Sequence, residues 1–327
     1  MMKYTDNEMC VILLCSYIGV DSSFDVKPLS QGEWNKFLAA LLAAKKEPKI
    51  IYDMTDQDAK SLGYDSAFAE RVRRLADRGA AVGFELQEYE RKGIQVITEI
   101  NEHYPILLRR RLGKKKPPVL FYAGDIGLAG KIGIGVVGSR NVSEAGMKFA
   151  EELVLQATSE NMIIYSGGAR GVDSISENTA LDAGSGVVSY ITDSLASRIR
   201  KAAVADSIMK GRMLLISDQK PDVGFSAGRA MNRNKYIYAS GYGTFVVESD
   251  YNKGGTWTGA TEAMKNNWGK VFVWEHDLEG NKKLIEAGGI PFTFQDGQKL
   301  FDVVNQDITN QTNAGYTQMD LTSFIKG

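Results

Sequence analysis

Residues 132–173 read IGIGVVGSRNVSEAGMKFAEELVLQATSENMIIYSGGARGVD. Two short apolar runs, 132–137 and 162–166, flank an amphipathic segment that places Phe149 and Leu153 on one face. Apolar runs of this length that are separated by a helix are typical of parallel strands buried on both faces. This stretch therefore predicts a β-α-β unit and an α/β fold.

The same alternation continues along the chain. Further apolar runs, with helical stretches between them, lie at 186–191, 213–217, 243–249 and 270–275. The sequence thus predicts a doubly wound, mostly parallel sheet of the extended Rossmann-like type. Ligands bind such sheets beyond the carboxyl ends of the strands, so the loops after these runs are the candidate site.

Residues 1–98 have a helical periodicity instead. Trp34, Phe37 and Leu41 recur at helical spacing, and 66–92 form a second amphipathic run. We expect a small helical N-terminal domain here, placed before the α/β domain.

Composition excludes several classes of protein. The chain has 327 residues, 43% of them hydrophobic and 24% charged, as in ordinary globular proteins. No apolar run approaches the roughly 18 residues of a membrane span, and no cleavage site follows the N-terminal apolar patch. We expect a cytoplasmic protein without a membrane partner.

Metal and disulfide chemistry is not indicated. Cys10 and Cys15 are the only cysteines, and His103 and His276 the only histidines, far apart in sequence. A zinc site or a disulfide scaffold needs more ligands at closer spacing. The cysteines are therefore predicted to be buried thiols, and no metal is expected.

Positive charge is concentrated in two segments. Residues 101–140 carry eight Lys/Arg and two acids, and 198–235 carry nine Lys/Arg and three acids, a net of +6 in each case, although the whole chain is at −1. Such a distribution favours a local anionic partner, with chance clustering of surface lysines as the alternative.

The glycines of GIGVVGSR, residues 133–140, match the dinucleotide pattern G-x-G-x-x-G. In that fingerprint the glycines follow the strand, whereas Gly133 and Gly135 lie inside the apolar run. The next run ends in Tyr165-Ser166 and lacks the carboxylate that would hold a ribose. We therefore expect no NAD and no other cofactor.

The loop after the first run instead predicts an anion site. Gly138 allows close approach, Ser139 and exposed N–H groups donate, and Arg140 supplies a bidentate fork. The alternative is a tight strand-to-helix turn with a solvated arginine.

The loop after the second run repeats this chemistry. In SGGARGVD, 166–173, Gly167 and Gly168 permit close approach and Arg170 reaches a phosphate. Asp173 is predicted to cap the following helix or to orient Arg170. A role as catalytic acid is the alternative.

Two later segments combine basic, amide and aromatic residues. The first is AGRAMNRNKYIYASG, 227–241, in which Tyr238 is expected in the core, and Phe225 just before it is a candidate for base stacking. The second is NKGGTWTGATE, 252–262, in which Trp257 is either a stacking residue or a buried one.

Taken together and in this order, the motifs HYPILL, PPVLFYAGD, VVGSR, YSGGARGVD, RNKYIYASG, VVES and KGGTWTGA resemble the DNA-processing protein A family (DprA, also called Smf) over about residues 100–295. The resemblance implies an extended Rossmann fold that binds single-stranded DNA without a nucleotide cofactor. It also implies a non-enzymatic protein, usually a homodimer, that protects DNA during natural transformation and hands it to the RecA recombinase.

The resemblance assigns the DNA pocket to matching positions of this chain, with Arg140, Arg170, Arg233, Asn234 and Lys253 as its polar side chains. The complete predicted DNA- and phosphate-binding set is Gly138, Ser139, Arg140, Ser166, Gly167, Gly168, Arg170, Asp173, Phe225, Arg233, Asn234, Lys235, Lys253, Gly254, Gly255 and Thr256.

The resemblance also implies domain limits, namely a SAM-like helical domain over 1–98, the Rossmann-like DNA-binding domain over 99–297 and a tail over 298–327. Two departures matter. The tail is too short and polar for the winged-helix-like domain of many family members, and FSAGRAMNRNK replaces the shorter Phe-Pro-x-Arg-Asn-Arg pattern, which bears on stacking by Phe225.

Two other functions remain open from the sequence. GGTWTGATE partly resembles the catalytic loop of phosphoribohydrolases of the lysine-decarboxylase-like type, in which Glu262 would be the catalytic carboxylate. That loop lacks the middle glycine, and Glu262 stands one residue late. A sensor of a nucleotide signal, with the same fold but no turnover, is the third hypothesis.

Overall fold

The computed structural model describes residues 4–21 and 24–305. Most of the predicted tail therefore lies outside the described residues, and only its first part is seen, where Leu300–Asn305 form a short helix. The chain divides into two compact units. Among the described residues, the first comprises those up to Tyr104 together with Lys114–Phe121, and the second comprises Pro105–Gly113 and residues 122–305. The limits 1–98 and 99–297 stay a prediction.

The first unit is mainly helical. Its helices are α1 (Asp6–Cys15), α2 (Gln31–Ala43), α3 (Asp56–Ser61), α4 (Ser66–Ala76) and α5 (Gly79–Arg91), with a 3-10 turn at Pro48–Asp53, and the strands that follow are β1 (Gln95–Thr98) and β2 (Val119–Ala123). Helices α1, α2 and α3 each begin at a capping box, in which a Ser or Thr side chain and an acidic side chain three residues later satisfy one another's backbone N–H groups. Trp34, Phe37 and Leu41 form the buried face of α2, as the spacing predicts.

The second unit contains the parallel sheet. Its strands are β3 (Gly133–Val137), β4 (Ile163–Ser166), β5 (Val187–Tyr190), β6 (Met213–Ser217), β7 (Gly243–Val246), β8 (Lys270–Trp274) and β9 (Ile290–Phe292). They lie in the order β6-β5-β4-β3-β7-β8-β9, and each neighbouring pair is parallel. The order reverses at β3, which lies between β4 and β7, so the predicted doubly wound fold is confirmed.

Helices of the second unit connect these strands or flank them in the chain. They are α6 (Ile106–Leu112), α7 (Glu144–Ser159), α8 (Val172–Asp182), α9 (Leu195–Arg198), α10 (Ala202–Met209), α11 (Ala227–Ser240), α12 (Gly254–Asn266), α13 (Glu279–Glu286) and α14 (Leu300–Asn305). Helices α7, α11 and α12 come directly before or after the strands at the reversal, so the loops at their ends surround the switch point of the sheet.

The first two glycines of the dinucleotide-like pattern serve strand packing. Both lie inside β3, as predicted. A Cβ on Gly133 would lie 2.3 Å from the carbonyl oxygen of Ile163, and one on Gly135 would lie 2.5 Å from the Thr244 hydroxyl. Neighbouring strands thus approach so closely that no side chain fits at either position.

Candidate functional site

A cavity lies at the switch point, beyond the carboxyl ends of β3 and β7. It encloses about 420 Å³ and is bordered by the loop after β3, the start of α8, one face of α11 and the start of α12. Crevices at the reversal of strand order are where doubly wound sheets bind their ligands. The basic side chains that line it are Arg140, Arg233 and Lys253, and the acidic ones are Asp173 and Asp250.

Helix N-termini add partial positive charge to this cavity. Three helices that border the cavity, α8, α11 and α12, have no side chain that caps their first backbone N–H groups. The start of α12, Gly254–Thr256, lines the cavity directly. Since uncapped first-turn N–H groups favour anions, this arrangement suits a phosphate or a carboxylate.

Two side-chain hydrogen bonds hold the start of α12 against the rest of the cavity. Asn234 donates from Nδ2 to the carbonyl oxygen of Gly255 at 2.9 Å. Thr256 donates from its hydroxyl to the carbonyl oxygen of Gly138 at 3.0 Å. The loop after β3, helix α11 and helix α12 are thereby fixed to one another before any ligand binds.

Arg233 is a buried side chain that lines the cavity. Its side chain is only 5% exposed, yet within the described part of the chain its Nε and Nη1 atoms have no hydrogen-bond partner. Buried guanidinium N–H groups are normally paired, so Arg233 has hydrogen-bond donors to offer to a ligand in the cavity. A Cβ on Gly167 would lie 1.3 Å from Nη1, so the glycine at this position makes room for the arginine.

Two buried carboxyl groups on α8 face this region. Burial raises the pKa of Asp173, and the guanidinium groups of Arg233 and Arg140 partly oppose that rise. Burial also raises the pKa of Glu177 to about 7. The Glu177 carboxylate accepts hydrogen bonds from the Gly168 N–H at 2.8 Å and the Ser189 hydroxyl at 2.6 Å, and so supports the glycine loop from below.

The predicted capping role of Asp173 is wrong, whereas the alternative that it orients Arg170 stays a prediction. The residue that caps α8 is Gly171, at a φ of +77°, and Asp173 lies one position inside the helix. Its carboxylate accepts a hydrogen bond from the Ala169 N–H at 3.4 Å. The guanidinium charges of Arg233 and Arg140 act to lower its pKa.

An aromatic ring lies beside the exposed part of the site. Phe225 is 57% exposed, and the Arg140 guanidinium carbon lies 5.8 Å from its ring centre. Tyr238 is buried, as predicted, and borders the cavity from α11. Trp257 is half-buried and contacts Tyr251 edge to face, which falls between the two alternatives predicted for it.

The structure brings most of the predicted residues together. Those that line the cavity are Gly138, Ser139, Arg140, Asp173, Arg233, Asn234, Lys253, Gly254, Gly255 and Thr256. They come from four separate segments of the sequence, and it is the parallel arrangement of the strands that places them at one edge.

Other predicted residues lie outside the lining. The Ser166 hydroxyl is buried and donates to the Val136 carbonyl oxygen at 2.9 Å. Lys235 donates from Nζ to the Asn232 side chain at 2.9 Å. Arg170 is exposed and is not part of the lining. The remaining residues of this group are Gly167, Gly168 and Phe225.

Several lining residues were not predicted. Asn141, Met231, Asp250 and Thr258 all border the cavity. The sequence held a signal for all four, because each lies within or next to a motif already identified. Glu177 could have been found as the residue one turn after Asp173 on the same helix face.

The candidate catalytic residue of the phosphoribohydrolase hypothesis, Glu262, lies outside the cavity lining. Glu262 is exposed on α12 and does not line the cavity, which removes the geometric basis for a phosphoribohydrolase carboxylate.

Across residues 4–21 and 24–305, no cluster of three or more His, Cys, Asp or Glu could hold a metal ion. Over the same ranges no helix has the length and apolar character needed to cross a membrane.

The fold and site define an α/β protein with a cavity at the switch point of a parallel sheet, lined by basic side chains and by the uncapped start of a helix. Comparison with known families makes this more specific. The model of the DNA recombination-mediator protein A family matches residues 95–304, which include the whole cavity. The chain belongs to this family.

Individual relatives agree with the assignment. The DNA processing protein DprA of Bacillus subtilis (strain 168) is 27% identical over 247 residues, which cover 70% of this chain and 82% of that protein. The X-ray structure of DNA processing protein A from Streptococcus pneumoniae superposes with a TM-score of 0.66 at 22% identity, covering 89% of this chain and 96% of that one.

A second solved structure describes the single-stranded DNA binding mode of DNA processing protein A from Helicobacter pylori. It superposes with a TM-score of 0.52 at 20% identity and covers 66% of this chain and 96% of that one. At these identities the two solved structures support the fold of this chain.

Proposed function

We propose that this chain binds single-stranded DNA in the cavity, where Arg140, Arg233, Lys253 and the first amides of α12 hold backbone phosphates. The observation that carries the proposal is Arg233, a buried guanidinium with two atoms that lack a hydrogen-bond partner among the described residues. A phosphate oxygen supplies the missing acceptor and the opposite charge.

The surroundings of Arg233 support a polyanion rather than a small neutral ligand. Two further cations, Arg140 and Lys253, are exposed at the same cavity and are reached from solvent. The exposed Phe225 ring beside Arg140 suits an unpaired base, since a base in single-stranded DNA presents its face to the protein. The single-stranded DNA binding mode described for the Helicobacter pylori relative is consistent with this ligand.

Family membership supports a proposal for the wider role. We propose that the chain is a non-enzymatic cytoplasmic protein, acts as a homodimer, protects single-stranded DNA and passes it to the RecA recombinase during DNA uptake. Its membership of the recombination-mediator family and its likeness to the Bacillus subtilis protein support this proposal.

Fluorescence anisotropy with a labelled oligo-dT tests the binding proposal. Single-stranded DNA should bind more tightly than the matched duplex, and the affinity should fall steeply as NaCl is raised because counterions are released from the strand. Arg140→Ala and Lys253→Ala should each weaken binding to every sequence. Each should also reduce the slope of log K against log salt by about 0.7.

Lys131→Ala is the matched control for these variants. It removes the same charge, but Lys131 is exposed just before β3, at the amino edge of the sheet and away from the cavity. The control should bind like the wild type. Equal loss of affinity in all three variants would indicate a non-specific effect of net charge, and no loss in any of them would refute the site.

A further inference from the structure

A second aromatic group lies just outside the cavity lining, at the start of α12. Tyr251 is 46% exposed, and its ring meets that of Trp257 edge to face, with ring centres 5.1 Å apart and planes at 88°. The residues beside this pair in the chain line the cavity, namely Lys253, Thr256 and Thr258. The Tyr251–Trp257 pair therefore lies next to the phosphate-binding residues.

The backbone keeps this pair at the surface. The loop between β7 and α12 turns sharply, with φ values of +53° at Asn252 and +77° at Gly254. Tyr251 precedes this turn, and Trp257 lies on the first turns of α12. The edge-to-face contact fixes the plane of the Tyr251 ring. An ordered aromatic ring that is nearly half exposed beside a binding cavity is a surface for a ligand with an apolar face.

Exposed aromatic side chains thus lie next to lining residues of the cavity in two places, although neither belongs to the lining itself. Phe225 lies beside Arg140, which follows β3, and Tyr251 lies beside Lys253, which precedes α12. An internal phosphate of a nucleic-acid strand has one nucleoside on its 5′ side and another on its 3′ side. A mononucleotide has only one base, and the bases of a duplex are already paired and stacked.

We infer that the Tyr251–Trp257 pair is a second base-stacking platform, which together with Phe225 selects an internal phosphate of an unpaired strand over a mononucleotide or a duplex. The inference rests on the proposed function and specifies the ligand that the site prefers. It also favours a strand-binding protein over a sensor of a single nucleotide, since two platforms accommodate two bases.

Two probes with the same phosphates test the platform. One is a labelled dT octamer, and the other is an abasic octamer that carries the sugar–phosphate backbone without bases. Tyr251→Leu should weaken binding of the dT octamer about tenfold, the scale of one base stacked on an aromatic ring. Binding of the abasic octamer should stay unchanged. Tyr251→Phe keeps the ring and should bind both probes like the wild type.

Phe301→Leu is the control for loss of an exposed ring. Phe301 is 39% exposed on α14 and does not line the cavity, so both probes should bind this variant as they bind the wild type. Intrinsic fluorescence gives a second readout. The dT octamer should quench the tryptophan emission of the wild type, and Trp257→Phe should remove most of that quenching. Thermal unfolding of every variant checks that it is folded.

The outcomes separate this inference from the proposed function. Unchanged binding of the dT octamer by Tyr251→Leu, or an equal loss for the dT and abasic octamers, overturns the platform while leaving phosphate binding intact. Failure of the wild type to bind either octamer overturns both proposals. Comparable affinity of the wild type for dTMP and the dT octamer also overturns the selection of a strand.

Discussion

Replacing Glu177 by Gln tests the electrostatics beneath the glycine loop. The folded chain encloses this carboxyl group, and burial raises its pKa from 4.5 to about 7. A change of one unit in pKa corresponds to about 1.4 kcal/mol in the free energy of ionising the carboxyl group. Ionising Glu177 therefore costs the folded state roughly 3 kcal/mol at pH 8.

The sign of the effect follows from proton binding. Because the pKa is raised, the folded state holds the proton more tightly than the unfolded state does between about pH 4.5 and pH 7. The stability associated with the neutral carboxyl is fully present below about pH 4.5 and is lost as the pH rises through about 7. Gln keeps the shape and the acceptor oxygen for Gly168 and Ser189 but has no proton to lose.

Denaturant unfolding of the wild type and of Glu177→Gln at several pH values between 5 and 8 measures this difference. We expect the free energy of unfolding of the variant to rise relative to that of the wild type as the pH rises. The relative increase should reach up to about 3 kcal/mol at pH 8. Glu151→Gln, at an exposed position on α7, is the control and should show no such gain. A difference between Glu177→Gln and the wild type that does not vary with pH would refute the reasoning.

Two further substitutions test the buried arginine. Gly167→Ala places a methyl group where the Arg233 guanidinium lies, so we expect it to displace the arginine and weaken binding of single-stranded DNA at least as much as Arg140→Ala, which anisotropy measures. Arg233→Met removes a buried guanidinium whose Nε and Nη1 lack partners among the described residues, so DNA affinity should fall. Because the same charge favours the ionised form of buried Asp173, the free protein should also lose stability. Unchanged affinity for single-stranded DNA in a folded Arg233→Met variant would refute the role of this arginine in binding.

Much of the sheet was predictable because strands buried on both faces are continuous apolar runs. The predicted strands begin within one residue of β3, β4, β5, β6, β7 and β8. The strand of the parallel sheet that was not predicted is β9, which has only three residues, Ile290–Phe292. Its proline cannot donate a hydrogen bond to a strand ladder and is tolerated because β9 is at the edge of the sheet. Such a short run with a proline has no pattern that marks it as a strand.

The site was predictable at the level of loops but not of individual contacts. Parallel strands end at one edge, so Gly138–Arg140 and Lys253–Thr256 were expected together, and both line the cavity. The sequence could not distinguish Arg170 from Arg233, since each is an arginine in a motif. Which one is buried depends on the space opposite Gly167, a contact between segments far apart in the chain.

The contact between Gly167 and Arg233 has a consequence for how the family diverges. A side chain at the first position and a full-length arginine at the second cannot occupy the same space. A lineage that acquires alanine or serine in the glycine loop must shorten the arginine or supply the guanidinium from elsewhere. Across related sequences, these two distant positions are expected to vary together.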